Sequence, residues 1–267
     1  MNILDKIIAY KYKEVERAKA KVSVKSLEES KRFEQPTTSL KSALTCSEKA
    51  GIIAEIKRKS PSKGIINPDV SLEKISQGYV QAGVSGMSVL TDTEFFGGSF
   101  EDFKIVRLLN DCPILRKDFI VDEYQILQAK SMGADAILLI AAALKHKEVK
   151  SLATFANSLG LEVLMEVHNE SELLDNLHEN IDMIGVNNRN LKTFEVSIET
   201  SIQLAGLIPD NYVKVSESGI SQPKSIIELK KHGFEGFLIG ETFMKTGAPE
   251  EACAAFINEL YLLEHKK

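Results

Sequence analysis

From Ile52 onward the sequence repeats one pattern eight times: a short apolar run rich in β-branched residues, a polar loop, and then a stretch of helical period. The runs are Ile52–Lys57, Gly86–Thr91, Pro113–Lys117, Ala136–Ile140, Glu162–Val167, Met183–Asn187, Tyr212–Ser216 and Gly236–Ile239. The helical stretches are Leu72–Gln81, Glu101–Asn110, Glu123–Ser131, Lys147–Ser158, Glu170–Leu177, Ile198–Ala205, Pro223–Lys231 and Pro249–Leu263. Gly83, Gly133, Gly160 and Gly233 fall where a helix must stop before the next strand begins. A run of βα units demands parallel pairing, and eight of them fit a closed barrel better than an open doubly wound sheet. The expected fold is therefore α/β, a (β/α)8 TIM barrel. Residues 1–50 read as a helical extension packing on it, opened by Ile3, Ile7, Ile8, Tyr12 and Val15 at helical spacing and interrupted at Pro36. Residues 51–267 read as a single catalytic domain.

Composition removes several functions. A net charge of -5 with both signs interspersed offers no basic stripe for a nucleic acid and no polybasic arm for a membrane. The longest apolar stretch, near 134–144, is broken by Asp135 and falls short of the ~20 residues that cross a bilayer, and the N-terminus has no apolar signal core. A cytoplasmic location follows as the expectation. Cys46, Cys112 and Cys253 lie too far apart in sequence for a disulfide framework or a zinc pattern, and read as reduced packing residues. No metal is expected.

The strands themselves carry the chemistry. Side chains alternate along a strand, so in IIAEIK the charged Glu55 and Lys57 share a face that opens into the barrel mouth. On one strand alone this reads equally well as a structural ion pair or a register with both groups in solvent. Four more strands repeat it: Lys117 ends PILRK, Glu166 sits near the end of LEVLMEV, Asn187 ends MIGVN, and Glu217 and Ser218 close YVKVSES. Buried charges are costly unless paired or used, and the C-terminal strand ends are where barrels build active sites. Two lysines among glutamates allow an ammonium to act as acid while a carboxylate acts as base.

Three loops suit a phosphate: KSPSKG with Lys59 and Ser60, SGI with Gly219, and IGETFM with Gly240. Phe95, Phe96, Phe119, Leu138, Ile140 and Leu191 make a candidate apolar wall for a planar group. These features leave three readings open: acid–base catalysis on a phosphorylated sugar, a Schiff-base aldolase or lyase working through Lys117 or Lys57, and a non-catalytic phosphosugar-binding protein.

Through IIAEIKRKSPSKG, SVLTDTEFFGGS, PILRKDFI, ADAILLI, GLEVLMEVH, IGVNNRNL, VSESGI and GFLIGETFM the chain resembles the indole-3-glycerol-phosphate synthase family, in order and with family spacing from Ile52 to Met244. The resemblance implies closure of a phosphorylated anilino-ribulose, 1-(2-carboxyphenylamino)-1-deoxyribulose 5-phosphate, into an indole with loss of carbon dioxide and water, in tryptophan biosynthesis and with no cofactor. It carries catalytic roles to Glu55, Lys57, Lys117, Glu166, Asn187, Glu217 and Ser218. Lys117 is implied as the general acid on the ribulose carbonyl, Glu166 as the carboxylate that meets developing charge, and Lys57 as the group on the substrate carboxylate. Glu55 is implied to orient both lysines, and Asn187 and Ser218 to hold the sugar hydroxyls, with Arg189 nearby. The substrate is the one partner expected, bound by a monomer or weak homodimer.

Overall fold

The computed structural model describes residues 3–190 and 193–266. Eight parallel strands close on themselves: β1 (Ile52–Ile56), β2 (Gly86–Leu90), β3 (Ile114–Lys117), β4 (Ala136–Ile140), β5 (Glu162–Val167), β6 (Met183–Asn187), β7 (Val213–Glu217) and β8 (Phe234–Ile239). Each pairs with its sequence neighbours, and β1 joins β8 through the register Ile52 to Phe237 and Ala54 to Ile239. The (β/α)8 barrel is thus the architecture of the chain. Strand limits differ from the sequence reading by one or two residues; β7 runs on through Glu217 and β8 starts earlier, at Phe234.

Alternation sorts each strand into two cores. Ile53, Leu115, Leu138, Leu164, Met183, Val213, Val215 and Leu238 fill the barrel interior. Ile52, Ala54, Met87, Val89, Ile137, Val163, Ile184 and Phe237 face the surrounding helices. The long stop-signal helices behave as their sequence predicts: the helix Glu123–Met132 ends on Gly133, which adopts the left-handed conformation at φ 84°, and Gly83, Gly160 and Gly233 share its positive φ.

The N-terminal segment grips the barrel at both ends. Helix α1 (Ile3–Lys21) lies over the mouth, while α2 (Val24–Glu28) and α3 (Leu40–Leu44) lead to the opposite face. There Leu40 and Leu44 insert into the interior core; a Cβ on Gly86 would collide with Leu40, and one on Gly236 would collide with Val215 and crowd Leu44. Ser39 caps α3 and bonds the Glu162 carboxylate at 2.5 Å, which also accepts from the Lys41 backbone N–H at 2.9 Å.

The buried face of α1 corrects the sequence reading. Ile7 and Val15 are buried as expected, but Tyr12 is exposed and Lys11 takes the inner position instead, with no solvent exposure. Its ammonium lies 2.9 Å from Asp92, after β2, and 2.9 Å from Asp118, after β3. Three short elements also go beyond the sequence reading: a hairpin pairing Lys59–Ser60 with Gly64–Ile65, a 3-10 turn at Ala141–Ala143, and a short helix at Glu241–Met244.

Candidate active site

The barrel interior is largely apolar below its last layer, where the inward positions switch to Glu55, Lys117, Glu166, Asn187 and Glu217. They surround a cavity of about 200 Å³ at the C-terminal mouth. Lys117 on β3 reaches across the barrel to Glu217 Oε2 on β7 at 2.5 Å and lies 3.6 Å from Glu166 Oε2 on β5. Lys57, just past β1, pairs with Glu55 on the same strand. Asn187 donates from Nδ2 to Glu166 Oε1 at 3.0 Å, and its own Oδ1 accepts from the Arg189 backbone N–H at 3.0 Å.

Two glycines make room for the carboxylates. A Cβ on Gly185, on β6, would overlap Oε1 of Glu217, and one on Gly240 would overlap Oε1 of Glu55. Gly240 therefore leaves space for a strand-one carboxylate.

Burial and neighbours drive the two central carboxyl groups apart. At Glu217 burial favours the neutral acid, Lys117 opposes it, and Glu166 and Glu55 add repulsion, so its pKa rises; Oε1 finds no hydrogen-bond partner among the described residues. At Glu166 burial pushes the same way, but Lys117, His168 and Asn187 outweigh it and hold the group as a carboxylate. Glu55 is also lowered, burial being overcome by Lys57 and Lys117. Lys117 loses solvation by burial yet is raised, because Glu217, Glu166 and Glu55 all face it. The mouth thus holds a cation among three carboxyl groups of unequal acidity, an arrangement able to give and take protons at one carbon centre.

Most sequence-predicted residues converge here: Ser60, Phe96, Phe119, Leu138, Ile140, Arg189, Ser218, Gly219 and Gly240 line the same cavity as the charged groups. Two do not. Lys59 turns outward, and its ammonium bonds the Glu94 carbonyl at 2.6 Å; the hairpin pairing of Lys59 with Ile65 fixes that outward course. Phe95 packs edge-on against Tyr10 of α1, with centroids 5.7 Å apart, while Phe96, the next residue along, takes the inward place. Leu191 lies outside the described residues.

Several lining residues went unread in the sequence. Ile3, Leu4 and Ile7 roof the cavity from α1, and Phe194 contributes from the loop after β6 with φ at 59°. The amphipathic period of α1 was the available signal for the roof. Ser218 is likewise left-handed, at φ 67°. Such a conformation costs a non-glycine residue on the order of 1–3 kcal/mol and is retained where it aims a group.

Among the described residues no cluster of three His, Cys, Asp or Glu side chains is gathered as a metal site, and no helix is long and apolar enough to cross a membrane. Comparison with known proteins brings one name. A family model described as Indole-3-glycerol phosphate synthase matches residues 4–256. A protein of that name from Bacteroides thetaiotaomicron is 51% identical over 259 residues, spanning 97% of this chain and 99% of the relative. One from Campylobacter fetus is 45% identical over 243 residues, 91% of this chain and 94% of the relative. One from Chromobacterium violaceum is 42% identical over 254 residues, 94% of this chain and 96% of the relative.

Proposed function

The chain belongs to the indole-3-glycerol phosphate synthase family, and from that premise we propose how its barrel mouth carries out the reaction. The enzyme is a carboxy-lyase of tryptophan biosynthesis: it closes the phosphorylated anilino-ribulose to indole-3-glycerol phosphate and releases carbon dioxide and water. One unit does this, a barrel with residues 1–50 as an extension that roofs and plugs it.

Ring closure joins the aromatic carbon bearing the carboxylate to the ribulose C2. As that bond forms, the carbonyl electron pair moves to oxygen and needs a proton. Lys117 is the general acid, since its ammonium stands between Glu217 and Glu166 and is raised in pKa, so it is charged before the reaction begins. Positive charge left on the anilino nitrogen meets Glu166, the carboxylate kept ionised by its neighbours. Loss of carbon dioxide then restores the aromatic ring. In the dehydration the C2 hydroxyl leaves with a proton from a lysine, while a carboxylate takes the proton that allows the indole double bond to form.

Lys57, held by Glu55, is placed to bind the substrate carboxylate and to serve as that second acid. Glu217 restores Lys117 after each proton transfer, its own carboxyl being the one most ready to hold a proton. The orienting duty expected of Glu55 divides in two: Glu55 holds Lys57, and Glu217 holds Lys117. Asn187, Ser218 and Arg189 face the sugar, Ser60, Gly219 and Gly240 the phosphate, and Phe96, Phe119, Leu138 and Ile140 the anilino ring.

The observation that carries this reading is Lys117 between two carboxyl groups of opposite pKa shift. A binding protein gains nothing from such buried charges. The test is to incubate purified protein with the anilino-ribulose phosphate and follow indole absorbance and carbon dioxide together. Tight binding with neither product would replace the catalytic reading with phosphosugar binding.

A further inference from the structure

His168 follows β5 and precedes the helix Glu170–Asn176, two residues along the strand from Glu166. It does not line the cavity. Its ring is enclosed between two carboxylates. Nδ1 lies 3.1 Å from Glu172 Oε2, which also accepts from the His168 backbone N–H at 2.8 Å. Nε2, buried and without a well-formed hydrogen bond among the described residues, faces Glu166 Oε1 at 3.4 Å. That oxygen is the one Asn187 binds.

A neutral imidazole carries one N–H, so one of its nitrogens would turn a lone pair on a carboxylate oxygen. Only the imidazolium presents a donor to each side. We propose that His168 is a positioning residue acting through Glu166: an imidazolium anchored by Glu172 that fixes the orientation of the Glu166 carboxylate and keeps it ionised during ring closure.

The proposal rests on the catalytic reading of Glu166 given above. The electrostatics agree: burial would favour the neutral ring, but the nearby carboxylate of Glu166 and the hydrogen-bonded carboxylate of Glu172 raise its pKa to about 10. Facing Glu166 are Lys117 from β3, Glu217 from β7, Glu55 from β1 and Asn187 from β6; facing His168 are Glu166 from β5 and Glu172 from the following helix. With Lys117 shared between Glu166 and Glu217, His168 is the cation that Glu166 does not divide with that second carboxyl group.

His168→Gln keeps a donor near Glu166 and removes the charge; Glu172→Gln keeps the ring in place and weakens its protonation. Turnover and KM should be measured against pH for both, alone and combined with Glu166→Gln, with thermal melting in parallel. We expect kcat for His168→Gln to fall about ten- to a hundredfold, the kinetic equivalent of one hydrogen bond to a charged group, with KM little changed. The acid-side fall in kcat should begin about one pH unit higher, with Glu172→Gln shifting it the same way by less. In the Glu166→Gln background His168→Gln should cost nothing more. A His168→Gln enzyme whose pH profile matches the parent, with loss only in melting temperature, overturns the proposal and leaves a capping role. Near-full turnover in Glu166→Gln alone would instead remove Glu166 from the mechanism, and His168 with it.

Discussion

Lys117 and Glu217 stand on strands that do not pair, four positions apart in the chain order of the barrel, yet their charged ends meet at 2.5 Å across the mouth. The contact joins opposite walls, so Lys117 cannot swing toward solvent without stranding a buried carboxyl group. Glu217 in turn occupies the space opened by Gly185. Lys117 is therefore held from the far wall, and its reach is set by residues distant in sequence.

A lysine in this place supports either acid catalysis or a Schiff base, and loss of activity alone does not separate them. Lys117→Ala and Lys117→Arg should both lose about 10²-fold or more in kcat, the arginine because it keeps the charge but hardly releases a proton. Borohydride added during turnover should leave the protein mass unchanged. A stoichiometric reduced adduct on Lys117 or Lys57 would establish the Schiff-base route instead.

Gly185→Ala places a methyl group where Glu217 Oε1 now lies. Overpacking of this kind costs about 1–3 kcal/mol of stability, and the displaced carboxyl releases Lys117. We expect a folded enzyme whose kcat falls much further than its denaturation midpoint suggests. Wild-type kcat in Gly185→Ala would mean that Glu217 has no part in holding the acid.

Lys11 is a buried ammonium on three carboxylates, Glu14, Asp92 and Asp118, so Lys11→Met should destabilise by about 3–5 kcal/mol, read from urea midpoints. Burial works against the Lys11 charge, but Asp118 and Asp92 raise its pKa above the ordinary value, so its contribution is complete below ~10.4 and fades as pH climbs beyond it. Asp118 is the opposite case: burial would raise it, yet Lys11 and Arg116 hold it down to about 2. Its contribution is complete above ~3.9 and is lost as pH falls toward that lower value. The gap between parent and variant should stay constant near neutral pH and narrow in acid, where the stranded carboxylates take up protons. An equal gap at every pH would assign the loss to packing alone.

The phosphate assignment is open to a crystal soaked in sulfate. Anion density should lie between Ser60, Gly219 and Gly240, with Lys59 uninvolved because its ammonium is turned to the Glu94 carbonyl. Density confined to the opposite face of the barrel would displace the whole substrate orientation.

The sequence pattern was most informative where one residue type has one use. Glycines after helices, β-branched runs and charged residues at strand ends each point to a position by local rules, and Glu55, Lys117, Glu166, Asn187 and Glu217 all meet as that logic requires. Lys11 was hidden because a reading of amphipathic period counts apolar residues and sends every lysine to solvent; its partners Asp92 and Asp118 lie in distant loops. Phe95 and Phe96 are equivalent in composition, and only the turn held by Asp92, whose Oδ1 accepts from both backbone N–H groups, decides which ring faces the cavity. The outward course of Lys59 is hidden for a related reason, since strands of two residues leave almost no periodic signal. Leu40 and Leu44 read as part of a connection although they complete the interior core.

The grip of the N-terminal segment on both ends of the barrel sets an order in time. A ribosome releases Lys11, Leu40 and Leu44 before any strand exists to receive them; Lys11 meets partners after β2 and β3, whereas the interior core that Leu40 and Leu44 complete is finished only when the ring of strands has closed. These contacts are long-range in sequence and therefore form late, after the entropy of the intervening chain has been given up. Docking of α3 thus marks the completed barrel, and a nascent chain gains its roofed reaction chamber only as its last strands arrive.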